Sequence, residues 1–471
     1  MSLTNKSAAL LAVSLFALSA GSASAQDWNA IEAESVEMLS AYLQIDTTNP
    51  PGNETRGAEF FAALFDANDI ENHTVESAPG RGNIMARIPG KGTKPAVVLM
   101  HHIDVVPADP QYWSADPFGG EIRDGDLYGR GAIDTKGLGV ANALALLTLK
   151  RNNIQPAGDV IFLGVADEEA GGKMGAGYVV KHHPEWFKGA GVVLNEGGFI
   201  FGDTEGNAYF YGVETTQKFP YWVRLKAVGQ PGHGSMPRPD SASNRLIRAV
   251  NRVIAYETPI RVLPEVQRFF ADTAHLAPEP MRKPLSDLRR SLTDPAFAAG
   301  FTANIRENAL VRNTISLTRL SGSPKTNVIP TEATAELDIR LLPDQDVDAF
   351  LAELRRVIDD ESIELETLLT FPPATSPSDH ELFDVLREIA AVKHPKAVIT
   401  TPLTVGFTDC HYFREKDIPC YGFWPFILSE RDVGGVHGND ERIAVTNLKA
   451  GTRLMVELVA RLAGAKLPNA D

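Results

Sequence analysis

Three short runs of apolar residues, at 96–100, 160–166 and 191–194, each stop at a cluster of acids or histidines. The first leads into His101-His102-Ile103-Asp104, the second into Asp167-Glu168-Glu169, and the third into Asn195-Glu196-Gly197-Gly198. Runs this short and this uniformly apolar read as strands buried on both faces, the pattern of a parallel sheet flanked by helices. In open α/β sheets, ligands bind beyond the carboxyl ends of the strands, so the three clusters are expected on one rim. A helical candidate at 138–150, opened by Gly137, follows Gly129-Arg130-Gly131-Ala132-Ile133-Asp134, which lets Asp134 face the same rim.

Carboxylates do not crowd together unless something cationic offsets their repulsion or their pKa values rise. Two divalent cations would do so, and mixed histidine and carboxylate ligands suit zinc best, with manganese or cobalt as alternatives. Taken singly, each acidic pair after a strand is as well explained by a solvated loop. Three on one rim are not.

Around this core the texture of the chain changes twice. Residues 28–45 carry Ile31, Val36, Leu39 and Leu43 at helical spacing, and Asn49-Pro50-Pro51-Gly52 then breaks the chain. From about Lys218, strand-like stretches (221–228, 314–320, 333–340, 363–369) alternate with helical ones (242–255, 346–358), the pattern of a one-sided sheet carrying two helices. A polar stretch at 264–312 reads as an extra insertion. Beyond Pro372-Pro373 and Pro377 the α/β character returns at 381–392, 421–426 and 443–462. The expected architecture is a mixed α/β domain with a largely parallel sheet (26–217 and 374–471), split by an inserted α+β domain of ferredoxin-like order (218–373).

The formal net charge of −15 over 471 residues argues against nucleic-acid or anionic-membrane binding, which need clustered Lys and Arg. Residues 1–25 read as a removable export signal: Lys6, a short apolar run at 8–18, and Ala23-Ser24-Ala25 as the cleavage site. The chain is therefore expected to be exported, periplasmic or secreted. Cys410 and Cys420 are too few for a disulfide scaffold or a cysteine-based zinc site. They either pair across a short loop or stay as two buried thiols.

With His-Ile-Asp-Val-Val-Pro (102–107), Gly-Arg-Gly-Ala-Ile-Asp-Thr-Lys-Gly (129–137), Ala-Asp-Glu-Glu (166–169), Gly-His-Gly-Ser-Met-Pro (232–237) and His-Gly-Asn-Asp-Glu (437–441) in order, the sequence resembles a known family. It is the co-catalytic zinc hydrolase family that includes aminoacylase, glutamate carboxypeptidase and succinyl-diaminopimelate desuccinylase. The resemblance runs from about residue 30 to 465. It implies His102 and Glu196 as ligands of one zinc, Glu169 and His437 as ligands of the other, and Asp134 between them. Asp104 would accept the second N–H of the His102 imidazole. Glu168 would be the general base that takes a proton from water and returns it to the departing amine. His233 would donate to the oxyanion, often across a dimer formed by the inserted lid domain. Asn327 and Arg340 would hold the substrate's carboxylate, the arginine through its planar fork.

The resemblance thus implies a metal-dependent amidohydrolase acting on N-acyl amino acids or the C-terminal residues of short peptides; Glu196, where aminopeptidases usually have Asp, favours that branch. Two rivals are a non-catalytic exported binding protein on the same fold and a two-metal phosphoesterase. His101, where relatives usually have Gly, is expected either to crowd the pocket or to add a donor. Thr408, Asp409 and His411 fall near the expected cleft without a role. His182, His183, His380 and His394 are expected at the surface.

Overall fold

The computed structural model describes residues 27–468, so the expected export signal lies outside the described residues. In chain order, the first compact unit opens with helices α1 (Trp28–Leu43) and α2 (Thr55–Asp66) and strands β1 (Glu71–Glu76), β2 (Gly82–Ile88) and β3 (Ala96–His102). It continues through α3 (Lys136–Arg151), β4 (Val160–Val165), β5 (Ala190–Gly202) and β6 (Ala208–Gly212). The second unit holds β7 (Phe219–Val228), α4 (Ala242–Ala255), β8 (Thr314–Ser321), β9 (Glu332–Leu341), α5 (Val347–Ile358) and β10 (Ile363–Thr370). The chain then returns to the first unit as α6 (Glu381–Lys393), β11 (Val398–Thr400), β12 (Cys420–Leu428) and α7 (Val445–Leu462). Residues 27–215, 376–401 and 408–468 form the first unit; 216–375 and 402–407 form the second.

The sheet of the first unit has eight strands in the order β1-β2-β4-β3-β5-β6-β11, with β12 also paired to β5. Its centre is parallel (β3 with β4 and β5, β12 with β5), and antiparallel pairs flank it, β1–β2 and β2–β4 on one side and β5–β6 on the other. Side chains of β3 and β4 are buried throughout, as apolar runs covered on both faces require. The core unites α1, α3 and α7 with these strands through residues such as Leu39, Leu144, Phe162 and Leu458. Asp27 opens α1 by accepting the N–H of Ala30, and Lys150 and Arg151 end α3, where the helix dipole favours cations. His102 lies opposite Val165, so β3 and β4 end level with each other and their following loops meet on one rim.

Because successive side chains on a strand face opposite ways, His101 turns away from that rim when His102 faces it. Its ring packs against Phe61, Phe162 and Tyr42 at centroid distances of 5.3, 5.1 and 6.3 Å. Helix α3 comes this close only because residue 139 is glycine: a Cβ there would sit 2.4 Å from the His101 ring. Burial holds the imidazole down at about 3, so it is neutral. It neither crowds the pocket nor donates into it.

The second unit is an antiparallel sheet, β8-β9-β7-β10, with α4 and α5 packed on one face through Leu246, Val250, Leu354 and Ile358. That is the ferredoxin-like order. The stretch at 264–312 is helical rather than merely polar: Pro264–Thr273, Glu279–Ser286, Leu288–Ser291, Pro295–Thr302 and Ile305–Leu310 bury Val266, Phe270, Leu288 and Phe301 with Leu342 and Leu403. Buried Lys218 ties this segment down by donating to the carbonyls of Ala309 and Arg312 and to Thr314 Oγ1.

Cys410 and Cys420, both fully buried, form a disulfide with their Cα atoms 5.3 Å apart. Of the four histidines expected at the surface, only His182 is exposed. His183 is half-buried and stacks on Trp186, His380 accepts the N–H of Leu382 at the start of α6, and His394 bonds the hydroxyl of Tyr211 at 2.7 Å. Among the described residues, no helix is long and apolar enough to cross a membrane.

Candidate active site

The rim of the first unit gathers His102, Asp134, Glu168, Glu169, Glu196 and His437. Asp134 sits between the histidines: its Oδ1 lies 3.0 Å from His102 Nε2, and its Oδ2 lies 3.2 Å from His437 Nε2. Glu196 Oε2 is 3.8 Å from the same His102 nitrogen, and Glu169 Oε2 is 3.3 Å from the same His437 nitrogen. Two half-sites, each one histidine and one glutamate, thus share one carboxylate. Donor atoms of His102, Asp134 and Glu169 lie within 4.8 Å of one another, as do those of His102, Glu168 and Glu196.

These groups are held by what surrounds them. His102 Nδ1 is 2.8 Å from the main-chain carbonyl of Asp104, which fixes Nε2 toward Asp134. The Asp104 carboxylate is farther from that nitrogen, at 3.6 Å, and does other work. It accepts the backbone N–H groups of Glu168 and Glu169 at 3.1 and 3.2 Å and the amide of Asn49 at 2.8 Å, which sets the turn after β4. The expected contact to the imidazole therefore comes from the backbone of Asp104 rather than from its side chain.

Glu441 does the same for Asp134. Fully buried, it accepts the N–H groups of Gly131, Ile133 and Asp134 at 2.9–3.0 Å and an Arg130 N–H at 2.7 Å. Arg130 also donates to the Gly438 carbonyl, so the segments bearing Asp134 and His437 are tied together. On the other side, buried Arg81 donates to Asp167, Glu54, Asn49 and the Pro51 carbonyl. Gly52 leaves room for it: its φ is +86°, and a Cβ there would strike the guanidinium.

The charge balance is unusual. Burial opposes a charge on His102, yet Glu196 and the neighbouring Asp104 and Asp134 carboxylates hold its pKa well above the usual value. Hydrogen bonds to Asp134 and Glu169 push His437 up to about 10. Burial raises Glu169, lifts Glu196 to about 7, and, with the Glu196 charge, carries Glu168 well above the carboxylate range. Against burial, the two histidines keep Asp134 below its usual value. Asp409 is buried nearby with neither oxygen bonded among the described residues, and burial raises it strongly too. So many buried acids around two histidines call for added positive charge, and the paired histidine–carboxylate set suits divalent cations such as zinc.

His233, Asn327 and Arg340 belong to the second unit. His233 pairs with Val328 in a short ladder, and Gly234 N–H donates to the Asn327 carbonyl at 2.8 Å, which sets the two residues side by side. His233 Nδ1 lies 3.1 Å from the Ser235 N–H, which can only donate. The neutral ring therefore carries its proton on Nε2, outward, as an oxyanion donor requires. Arg340 spends Nε and Nη2 on Asp338, at 2.7 and 3.1 Å, so the edge expected to bind substrate is taken. His411, 3% exposed, bonds Glu415 at 2.9 Å.

Sequence reasoning did not assign Glu441, Arg130, Arg81, Glu54, Asn49 or Asp409. The first two stand inside the quoted motifs, which was the only signal for them.

The profile of Peptidase family M20/M25/M40 matches residues 98–461. An N-fatty-acyl-amino acid synthase/hydrolase of Xenopus tropicalis is 33% identical over 375 residues, 77% of this chain and 71% of that protein. Aminoacylase-1B of Rattus norvegicus is 27% identical over 92% of this chain and 96% of its own. Among solved structures, an M20 family metallo-carboxypeptidase of Sulfolobus solfataricus superposes with a TM-score of 0.65 over 91% of this chain and 99% of its own, at 20% identity.

Proposed function

Because the chain belongs to Peptidase family M20/M25/M40 and is a metal-dependent amidohydrolase of it, we propose that it cleaves the amide bond of N-acyl amino acids, or of C-terminal residues of short peptides, at a two-zinc centre. The observation that carries this reading is Asp134, with one oxygen toward each of two His–Glu pairs and Glu168 beside them. His102 and Glu196 would hold one ion, Glu169 and His437 the other. Bound there, such ions supply Lewis acidity toward the amide carbonyl and ease the ionisation of water.

The chain's own groups do the rest. Glu168 accepts the proton of the attacking water and delivers it to the leaving amine; its place beside His102 and Glu196 puts it within reach of both. Asp104 fixes the backbone from which Glu168 projects, so the root of that side chain is set by the fold rather than by substrate. The outward Nε2–H of His233 is proposed to donate to the oxyanion, and Asn327 and Arg340 to hold the free carboxylate. Those three assignments rest on the motif resemblance, as does dimerisation through the second unit. The disulfide supports export, since such bonds persist in oxidising compartments.

The test is hydrolysis of a panel of N-acyl amino acids and dipeptides by protein loaded with zinc, with and without a chelator. Turnover that the chelator abolishes and zinc restores is expected. Turnover of phosphate esters with none of amides would overturn the reading.

A further inference from the structure

We infer that Asp338, Trp222 and Phe407 are positioning residues that restrict Arg340 to a single-point grip on the substrate's carboxylate, an inference that rests on the assignment of Arg340 above. All four residues belong to the second unit. Arg340 and Asp338 are two apart on β9 and therefore share a face; Asp338 takes the Nε and Nη2 edge of the guanidinium. The rings of Trp222 and Phe407 lie 5.6 and 5.0 Å from its Cζ, so aromatic faces hold the flat of the group. Phe371 backs Phe407 edge-on at 5.5 Å.

One nitrogen remains. Arg340 Nη1 is buried and meets no acceptor among the described residues. A buried charged N–H left unpaired is costly, and one carboxylate oxygen removes that deficit. Phe407 is the side chain placed to yield: it is half-exposed, and its neighbour Gly406 has open space where a Cβ would stand. Since Asp338 already balances the charge of Arg340, recognition depends on where Nη1 points rather than on net charge. A guanidinium free to turn would lose that.

The experiment uses the zinc-loaded full chain and the fastest N-acyl amino acid of the panel, beside its carboxamide. Arg340→Ala should abolish the preference for acid over amide. Asp338→Ala should raise KM for the acid about tenfold, equivalent to about 1.4 kcal/mol, with kcat changed less than twofold and the amide unaffected. Asp338→Asn, with one oxygen left to hold one N–H, should fall between. Trp222→Phe, which keeps a ring, should match the parent, and Trp222→Leu should follow Asp338→Ala; thermal unfolding checks that each variant folds.

Should Arg340→Ala remove the preference while Asp338→Ala and Trp222→Leu keep the parent KM, the inference is overturned and the arginine assignment stands. Equal rises in KM for acid and amide overturn it as well, because a merely structural role predicts them. Should Arg340→Ala retain the preference, the assignment itself fails.

Discussion

Arg81 is the cation on which the turn after β4 depends, and Arg81→Met tests that dependence. Arg81 is 8% exposed, and its guanidinium meets Glu54 Oε1 at 3.1 Å, the Asp167 carboxylate, Asn49 Oδ1 at 3.2 Å and the Pro51 carbonyl at 2.8 Å. Removing one partner of a buried ion pair costs about 3–5 kcal/mol, because the other charge stays behind without compensation. Two neutral acceptors losing their donor add about 1 kcal/mol between them. Glu54 limits the total: burial has already lifted its pKa to about 7, so it takes up a proton instead of remaining charged. The expected loss is therefore about 4 kcal/mol. Urea unfolding of the metal-free protein reads it as a lower midpoint at unchanged slope. Adding Glu54→Gln to Arg81→Met should recover at least about 1 kcal/mol at pH 7, since the cost of protonating Glu54 on folding disappears. A loss below about 1 kcal/mol, or no recovery in the double variant, refutes the reasoning.

Glu168→Gln should lower kcat by about 10²–10⁴-fold while zinc content, measured by atomic emission, stays at the parent level. Glu54→Gln should change the pH profile of stability. An acid raised from 4.5 to about 7 binds its proton more tightly when folded, so its contribution is complete below about 4.5 and is lost as pH rises through 7; the variant should lack that decline in urea midpoints. Replacing Cys410 and Cys420 by serine should cost about 2.7 kcal/mol, the loop-closure value for a separation of ten residues, read by the same unfolding assay. Glu441→Gln should weaken zinc binding by about 10–100-fold in equilibrium dialysis against a chelator, and unchanged affinity would remove its positioning role.

Most of the buried centre of the sheet was legible because its strands are apolar throughout, and α4 because its apolar residues repeat at helical spacing. Strand β1 was not legible: Glu71–Glu76 is largely exposed and polar, and only its pairing with β2 makes it a strand. Strand β5 runs on to Gly202, well past Leu194, where its apolar run stops; pairing with β12 and β6 carries it through. Of the six rim residues, His102, Glu168, Glu169 and Glu196 were legible as clusters after strands, Asp134 by its place before α3, and His437 only through the resemblance. How they are supported was less so, because sequence spacing does not say whether a main-chain or a side-chain oxygen of Asp104 meets the imidazole. The Asp338–Arg340 pair did leave a signal, since residues two apart on a strand share a face, but a resemblance that calls for a free fork conceals it.

The carboxylate of Glu441 acts as a template for a stretch of backbone some three hundred positions earlier in the chain. A protein cut short before residue 437 would therefore lose more than one histidine. The loop carrying Asp134 would be left with three amide hydrogens and an arginine pointing at nothing, so the ribosome finishes the rim only when the last stretch emerges. The two segments are expected to tolerate substitution as a unit, and grafting either into a related scaffold should succeed only when the other travels with it.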